Sequence, residues 1–265
     1  MPIEPGIYPD LSNKAYHADP ALGSSMMAML AKSPAHLRSY LDDPVRLTPA
    51  FMFGSPYHCD VLQPHMFSSA YRFWPKGYHR KKEEREEVDA KGQEWVKEVD
   101  LIDIDNMIAV LKNNLVACSL LSGGETEVSY FWQHPKYGFI CKARPDYLRT
   151  RIHICLKSSK DASPEGFPNS IANFGYHKQA AHYRSGLAAC DVSVNHSVLI
   201  AQEKKPPYAI GIYRLSEEDL YLGHEENKLI YQKYEEALST DKWEGYSANI
   251  ENISLPQSYI RNAKI

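Results

Sequence analysis

The sequence predicts an α/β fold, because stretches with helical hydrophobic spacing and short extended apolar runs occur in the same chain. Apolar residues recur at helical spacing over 101–121 and 217–238, and four extended runs lie together between residues 127 and 157. With 265 residues, the chain can form one large α/β domain or two small ones. We find no repeat, low-complexity tract or linker, which favours a single domain over residues 1–265.

The N-terminal part is predicted to be an irregular arm followed by two short helices. Several prolines in residues 1–22 favour an arm that lies on the domain. The helical stretch that follows has Ser24 or Ser25 as its candidate N-cap. Pro34 should divide this stretch, since its ring opposes an unbroken helical ladder.

The next two segments differ sharply in polarity. Residues 51–62 are apolar and predicted to be helical after Pro56, with His58 among packing residues. Residues 76–98 are the most charged tract, and the plain interpretation is a solvated loop and helix face. The alternative is that this tract contacts phosphate groups through Arg80, Lys81 and Lys82.

The second half of the chain alternates between predicted strands and helices. A helix near 174–189 follows the four extended runs, then two strands at 192–201 and 208–215, then the helix at 217–238. Residues 240–265 are predicted to be an irregular tail. The four extended runs themselves are 127–133, 139–144, 146–149 and 152–157.

Composition limits the classes of function. A formal net charge of −3 argues against a diffusely basic coat, so DNA contact would need a local basic surface or metal ions in an acidic pocket. Five cysteines without CxxC spacing favour free thiols in a reducing cytoplasm. No apolar run approaches the roughly 20 residues needed to cross a bilayer. We therefore expect a cytoplasmic protein with no membrane partner.

The segment 138–157, GFICKARPDYLRTRIHICLK, is the most informative. It places Asp146 and Lys157 at neighbouring strand ends, where a carboxylate can hold Mg²⁺ and an amine can stabilise phosphoryl charge or the attacking water. The usual pattern has a second acid two residues before the lysine, but that residue here is Cys155. Taken singly, a turn-capping aspartate and a solvent-facing lysine are the commoner cases.

Two further positions carry candidate chemistry. Gln179 and Tyr183 are four residues apart on one predicted helix, so both can face the same groove. Such a pair is weak by itself, because any helix offers many polar pairs at this spacing. His58 taken alone is more readily explained as a hydrogen-bonded core histidine than as a metal ligand.

The order of these residues resembles the PD-(D/E)XK nuclease superfamily in its RecB-like branch. His58, Glu127, Pro145-Asp146, Lys157 and Gln179-x-x-x-Tyr183 follow one another as in that superfamily. The resemblance is closer to the family of exonuclease VIII (RecE) C-terminal nuclease domains of prophages, and it covers nearly the whole chain. The segments that carry it are EPGIYPDLSNKAYHADPALGSS, KSPAHL, FGSPYHCDVLQP, GFICKARPDYL, LKSS and KWEGYS.

The resemblance implies both an architecture and an activity. It implies an α/β domain with a mixed central β-sheet flanked by helices. It implies Mg²⁺-dependent degradation of linear double-stranded DNA from its ends, 5′ to 3′, with Mn²⁺ as a substitute ion. The 3′ single-stranded tails would serve a recombinase of the RecT annealing type, and the nuclease would be a ring-like homo-tetramer.

The resemblance also implies residue roles. His58 and Asp146 match metal ligands, Lys157 matches the catalytic lysine, and Glu127 matches an upstream acid. Gln179 and Tyr183 match the motif on the following helix, which positions the DNA backbone. Cys155 falls where the family has its second metal-binding acid.

The thiol at position 155 leaves alternatives open. Mg²⁺ prefers oxygen ligands, whereas a cysteine is soft and largely protonated. The residue is consistent with a natural loss of catalysis, with compensation by an acid such as Glu127, or with an engineered change. A pseudonuclease that binds DNA ends or a recombination partner is therefore the alternative function. A zinc or thiol enzyme is a remote third, because no Cys/His set of suitable spacing accompanies Cys155.

Overall fold

The computed structural model describes residues 3–43, 49–75, 81–255 and 260. Arg80 and part of the predicted tail lie outside the described residues. The described chain forms a mixed α/β fold, as predicted.

Its helices are α1 Asn13–Ala18, α2 Ser24–Lys32, α3 Pro34–Asp42, α4 Pro49–Leu62, α5 Phe67–Ala70, α6 Lys82–Ala90, α7 Glu98–Lys112, α8 Leu115–Leu120, α9 Phe167–Phe174, α10 Tyr176–Ala189 and α11 Glu217–Thr240. Its strands are β1 Gly6–Tyr8, β2 Tyr71–Trp74, β3 Glu94–Lys97, β4 Glu125–Thr126, β5 Ser129–Gln133, β6 Ile140–Ala143, β7 Tyr147–Arg149, β8 Ile152–Ser159, β9 His196–Glu203 and β10 Ile210–Arg214.

The strands form three sheets. The largest has the order β10-β9-β8-β7-β4, in which β8 and β9 are parallel and the other neighbours are antiparallel. This mixed sheet confirms the predicted architecture. A three-stranded antiparallel sheet has the order β1-β5-β6, and β2 and β3 form a parallel pair.

Helices cover the two faces of the five-stranded sheet, and strand β8 separates their cores. Ile154 and Leu156 are fully buried against α4 and α7, in a core that includes Tyr57 and Met107. Cys155 points to the opposite face, against α9 and α10. Because alternate residues of a strand face opposite sides, the two faces of β8 carry separate packing and site residues.

The N-terminal arm is not irregular, contrary to the prediction. Its strand β1 pairs with β5, and its helix α1 is capped by Ser12. Two buried cations on and beside β6 fix the arm: Lys142 Nζ donates to the carbonyl of Tyr16 at 2.6 Å, and Arg144 donates to that of Leu11 at 2.7 Å. Long-range partners therefore order a proline-rich segment whose local sequence gives little sign of structure.

Several helix boundaries differ from the predictions for local reasons. Helix α4 includes Pro56 in its interior instead of beginning after it. The predicted helix at 101–121 is divided into α7 and α8, because the Asn114 side chain caps α8 by accepting from Ala117 N at 3.0 Å. The predicted helix near 174–189 begins after Gly175, whose φ of 66° separates α9 from α10. The N-cap of α2 is Gly23, so neither Ser24 nor Ser25 caps it.

The charged tract forms both a helix and a strand. Helix α6 is largely exposed, and Lys82 pairs with Glu86 at 3.6 Å on its surface. Lys81 begins this helix, where its backbone N–H donates to Glu84. This arrangement supports the solvated helix face, whereas β3 adds a strand that the charge pattern did not indicate. DNA contact by Lys81 and Lys82 stays a prediction.

The C-terminal region follows the prediction in outline. Helix α11 is present, and the described residues 241–255 of the tail form neither helix nor strand. In the part of the chain that the structure describes, no helix combines the length and apolar character needed to span a bilayer.

Candidate active site

Two acidic residues lie opposite each other where the chain crosses between two sheets. Strands β4 and β7 belong to the five-stranded sheet, and their continuations β5 and β6 belong to the three-stranded one. The β4–β7 and β5–β6 ladders share one register, in which Glu127 faces Asp146. The backbone N–H of Glu127 donates to the Asp146 carbonyl at 3.4 Å, and Glu127 adopts a positive φ of 54°. Glu127 therefore departs from extended strand backbone at the crossing.

His58, on helix α4, lies close to Asp146. Its Nδ1 lies 3.8 Å from Asp146 Oδ2, with the side chains 25% and 16% exposed. The same carboxylate oxygen accepts the backbone N–H of Leu156 at 2.8 Å, which fixes the carboxylate against β8. The structure therefore brings these two predicted site residues together.

Lys157 lies at the centre of a polar cluster on the face of β8 that also carries Cys155. Its Nζ donates to Gln179 Oε1 at 3.1 Å, and Gln179 Nε2 donates to Tyr183 Oη at 3.4 Å. Lys157 Nζ also lies 4.9 Å from the ring centroid of Tyr176. Ser24 completes the cluster, since Gln179 Nε2 donates to its Oγ at 3.4 Å. Gln179 thus holds Lys157, which the resemblance implies is the catalytic lysine.

Cys155 is buried beside this cluster. Only 2% of it is exposed, and its Sγ lies 3.2 Å from His153 Nε2. The other ring nitrogen of His153 lies 3.3 Å from Ser197 Oγ. Burial raises the pKa of the Cys155 thiol to about 12, although Lys157 opposes that shift. The residue is therefore a neutral thiol at neutral pH and offers little to a hard cation.

The electrostatics of the two acids are unequal. Burial, followed by the charge of Asp146, raises the pKa of Glu127 to about 8, while Arg144 and Lys157 oppose the rise. Glu127 is thus largely protonated at neutral pH as long as no cation is bound. Two carboxylates held together in this way are typical of sites whose charge is completed by a cation.

The two basic groups have opposite protonation states. Burial lowers the pKa of His58, and Asp146 only partly restores it, so the imidazole is neutral and has a lone pair to donate. Burial lowers the pKa of Lys157, but Cys155 and Asp146 raise it by more, so the pKa is above its ordinary value. Lys157 is therefore an ammonium and suits charge stabilisation better than proton abstraction.

The donor set fits a divalent cation in part. The neutral imidazole of His58 and the carboxylate of Asp146 are suitable ligands, and Glu127 is the nearest source of a second carboxylate. Within residues 3–43, 49–75, 81–255 and 260, however, no three His, Cys, Asp or Glu side chains are grouped closely enough to hold a metal ion. His58 and Asp146 would hold the ion, and Glu127 would have to lose its proton and turn towards them.

The sequence analysis missed several residues of this site, including Tyr176. Ser24 is the first residue of α2 and contacts Gln179 across 155 positions of sequence. His153 is fully buried next to Cys155, and Arg144 lies within electrostatic range of Glu127. Alternation along β8 could have placed His153 on the face of Cys155 and Lys157, whereas Ser24 has no local signal.

Comparison with solved structures supports the fold. A crystal structure of a proposed exonuclease from Eubacterium rectale aligns with a TM-score of 0.60 at 12% identity, covering 84% of this chain and 86% of its own. A second solved structure, described as SSO0001, covers 78% of this chain and 86% of its own at 17% identity, but its TM-score of 0.28 is too low to indicate a shared fold.

Comparison of sequences identifies the family. No curated protein matches the chain. The model of a family described as a PDDEXK-like domain of unknown function (DUF3799) matches residues 23–256, which include all the site residues described above. The chain therefore belongs to this family of nuclease-like PDDEXK domains.

Proposed function

We propose that this protein is a divalent-metal-dependent exodeoxyribonuclease that degrades linear double-stranded DNA from its ends, 5′ to 3′. The observation that carries the proposal is the meeting of His58 with Asp146, one strand from a charged Lys157, in a PDDEXK-like chain. Mg²⁺ is the proposed ion, with Mn²⁺ as a substitute. The direction, the RecT-type annealing partner and a homo-tetramer are proposed from the resemblance to exonuclease VIII domains.

The residues divide the work of phosphodiester hydrolysis between a metal-binding pair and a charged lysine. A divalent ion, when bound, would polarise the scissile phosphate and lower the pKa of a water molecule. His58 and Asp146 would hold that ion, and the bond from Leu156 N keeps the carboxylate in place. Lys157 would stabilise negative charge on the phosphate, because it stays protonated.

The helix α10 side of the site would position the DNA backbone. Gln179 fixes Lys157 through its carbonyl oxygen, and its amide nitrogen reaches both Ser24 and Tyr183. These hydroxyl groups and the lysine can all donate to phosphate oxygens, which carry no sequence information. We therefore propose cleavage that does not depend on sequence.

The test is nucleotide release from linear duplex DNA in the presence of Mg²⁺ or Mn²⁺. Duplexes labelled at either the 5′ or the 3′ end report the direction, and a covalently closed circle is the control for end dependence. Lys157→Met should slow release strongly, whereas Lys160→Met, three residues further along on an exposed position, should not. Equal loss in both variants, or equal degradation of the circle, would contradict the proposal.

A pseudonuclease is the second candidate function, and the neutral thiol of Cys155 favours it. Such a protein would bind duplex ends with strong salt dependence but without stimulation by metal. Rapid hydrolysis by the native chain would exclude this alternative. For either function we propose a cytoplasmic location, since all five cysteines are free thiols in the structure.

A further inference from the structure

An aromatic pocket lies between the β2–β3 pair and helix α6. Its volume is about 550 Å³, within the roughly 300–1,000 Å³ typical of pockets that receive small ligands. Phe73 is 46% exposed, so a large apolar ring faces solvent there. We define the aromatic pocket by its ring-bearing walls, which are Phe67, Tyr71, Phe73 and Trp95.

The aromatic pocket is next to the candidate active site. The Tyr71 hydroxyl lies 2.6 Å from Ser55 Oγ on α4. Ser55 precedes His58 by three residues, so the two side chains occupy the same face of that helix. Tyr71 also lies within electrostatic range of Glu127, which adds to the larger effect of burial in raising the pKa of Tyr71. The pocket is therefore connected to His58 through one face of α4.

The lining of the pocket suits a nucleobase better than a phosphate. Arg72 lines it and is exposed, so it can contact a backbone phosphate. Glu84 and Glu87 also line it, where they accept from Lys81 N and Lys91 Nζ, and their negative charge disfavours a phosphate inside the pocket. The aromatic rings can stack on the face of any base, since every base has a π-face.

We propose that the aromatic pocket binds a base of the same DNA strand whose phosphodiester lies at the His58–Asp146 pair. This inference rests on the proposed function, because it takes DNA to be the ligand of that site. The base is one of the bound strand and not a released mononucleotide. Stacking would hold the strand in place without selecting its sequence.

The protein-side test is binding of oligonucleotides that carry 2-aminopurine, measured by fluorescence in EDTA so that no cleavage occurs. The fluorescence of 2-aminopurine should be quenched when the oligonucleotide binds to the native protein. Phe73→Ala should weaken binding by about 5- to 150-fold, the range that follows from loss of one stacked base, and should relieve the quenching. Tyr221→Ala is the matched control, because it removes a ring that is 67% exposed on α11. Unchanged binding and quenching in Phe73→Ala would overturn the proposal.

The DNA-side test uses the native protein and does not depend on the folding of a variant. The series consists of duplexes that each carry one abasic nucleotide, placed at successive positions from the end. The protein should bind one of these duplexes more weakly than the others, by a factor similar to that expected for Phe73→Ala. A series with no such position would overturn the proposal. Deoxyadenosine monophosphate should bind far more weakly than the oligonucleotide, and equal affinity would overturn the assignment to the strand.

These tests separate the pocket from catalysis. Native protein that quenches 2-aminopurine but releases no nucleotide would remove the exonuclease function and retain the pocket. The opposite outcome is that the native protein digests linear DNA, while neither Phe73→Ala nor any abasic position weakens binding. That result would retain the exonuclease function and remove the pocket.

Discussion

Replacing the thiol at position 155 with a carboxylate should increase nuclease activity. With a pKa of about 12, the Cys155 thiol is ionised in fewer than about one molecule in 10⁴ at pH 7.5. An aspartate at this position would lie two residues before Lys157 on the same face of β8, where the ammonium favours its ionised form. Cys155→Asp would thus supply the oxygen ligand that the donor set lacks.

The size of the effect can be estimated from known metal sites. Loss of a group that merely supports a ligand costs roughly 10–100-fold in affinity or activity, and a direct ligand should matter at least as much. We therefore expect Cys155→Asp to release nucleotides at least about 10–100-fold faster than the native chain at limiting Mg²⁺. In EDTA the variant should be less stable by about 1–3 kcal/mol, because it buries a carboxylate beside His153.

The assay is single-turnover release of nucleotides from an end-labelled linear duplex across a Mg²⁺ titration. Cys155→Asn is the matched control, since it has nearly the shape of aspartate without its charge. The reasoning would be refuted if the aspartate variant were no faster than the native protein. It would also be refuted if the asparagine variant gained as much, because charge would then not be the cause.

Three further predictions concern neighbouring side chains. Lys157→Met should lower the single-turnover rate by about 10²–10³-fold, because loss of one charge-stabilising donor has an effect of this size in other enzymes. DNA affinity should change much less. A rate within a factor of three of native would contradict this prediction. Gln179→Ala should lower the rate by about 3–10-fold, the value of one hydrogen bond, through misplacement of Lys157, and an unchanged rate would contradict it. The pKa of Glu127 in the folded protein is about 8, above the ordinary value of 4.5 for a glutamate. Between these two pH values the folded protein binds one more proton than the unfolded chain, so it loses stability as pH rises through that window. Glu127→Gln should remove this loss and be more stable by a few kcal/mol at pH 8, measured by urea unfolding in EDTA; an unaltered pH slope would contradict it.

Elements with strong local signals could be predicted from the sequence, whereas those set by distant partners could not. The four extended runs and α11 have clear periodicity, and each corresponds to an observed element. The arm looked irregular because its order comes from pairing with β5 and from Lys142 and Arg144, which are more than a hundred residues away. Leu222 and Leu229 on α11 follow the helical period but are 52% and 62% exposed, so apolar spacing alone did not identify the buried face.

The same division applies to the site. His58, Asp146 and Lys157 were assigned from their order in a resembling family, and their meeting requires α4 to pack across the sheet crossing, which no local pattern specifies. The position of Glu127 follows from strand register, since one shared register places it opposite Asp146. Ser24 was missed because it reaches the site through the docking of α2 on α10.

The central claim is that His58 and Asp146 bind one divalent ion, and calorimetric titration with Mn²⁺ tests it most directly. The native protein should show one binding site, and both His58→Ala and Asp146→Asn should weaken it by at least about 10-fold, while Lys160→Met leaves it unchanged. Mn²⁺ binding that is unaffected in both the His58 and the Asp146 variants would contradict the account.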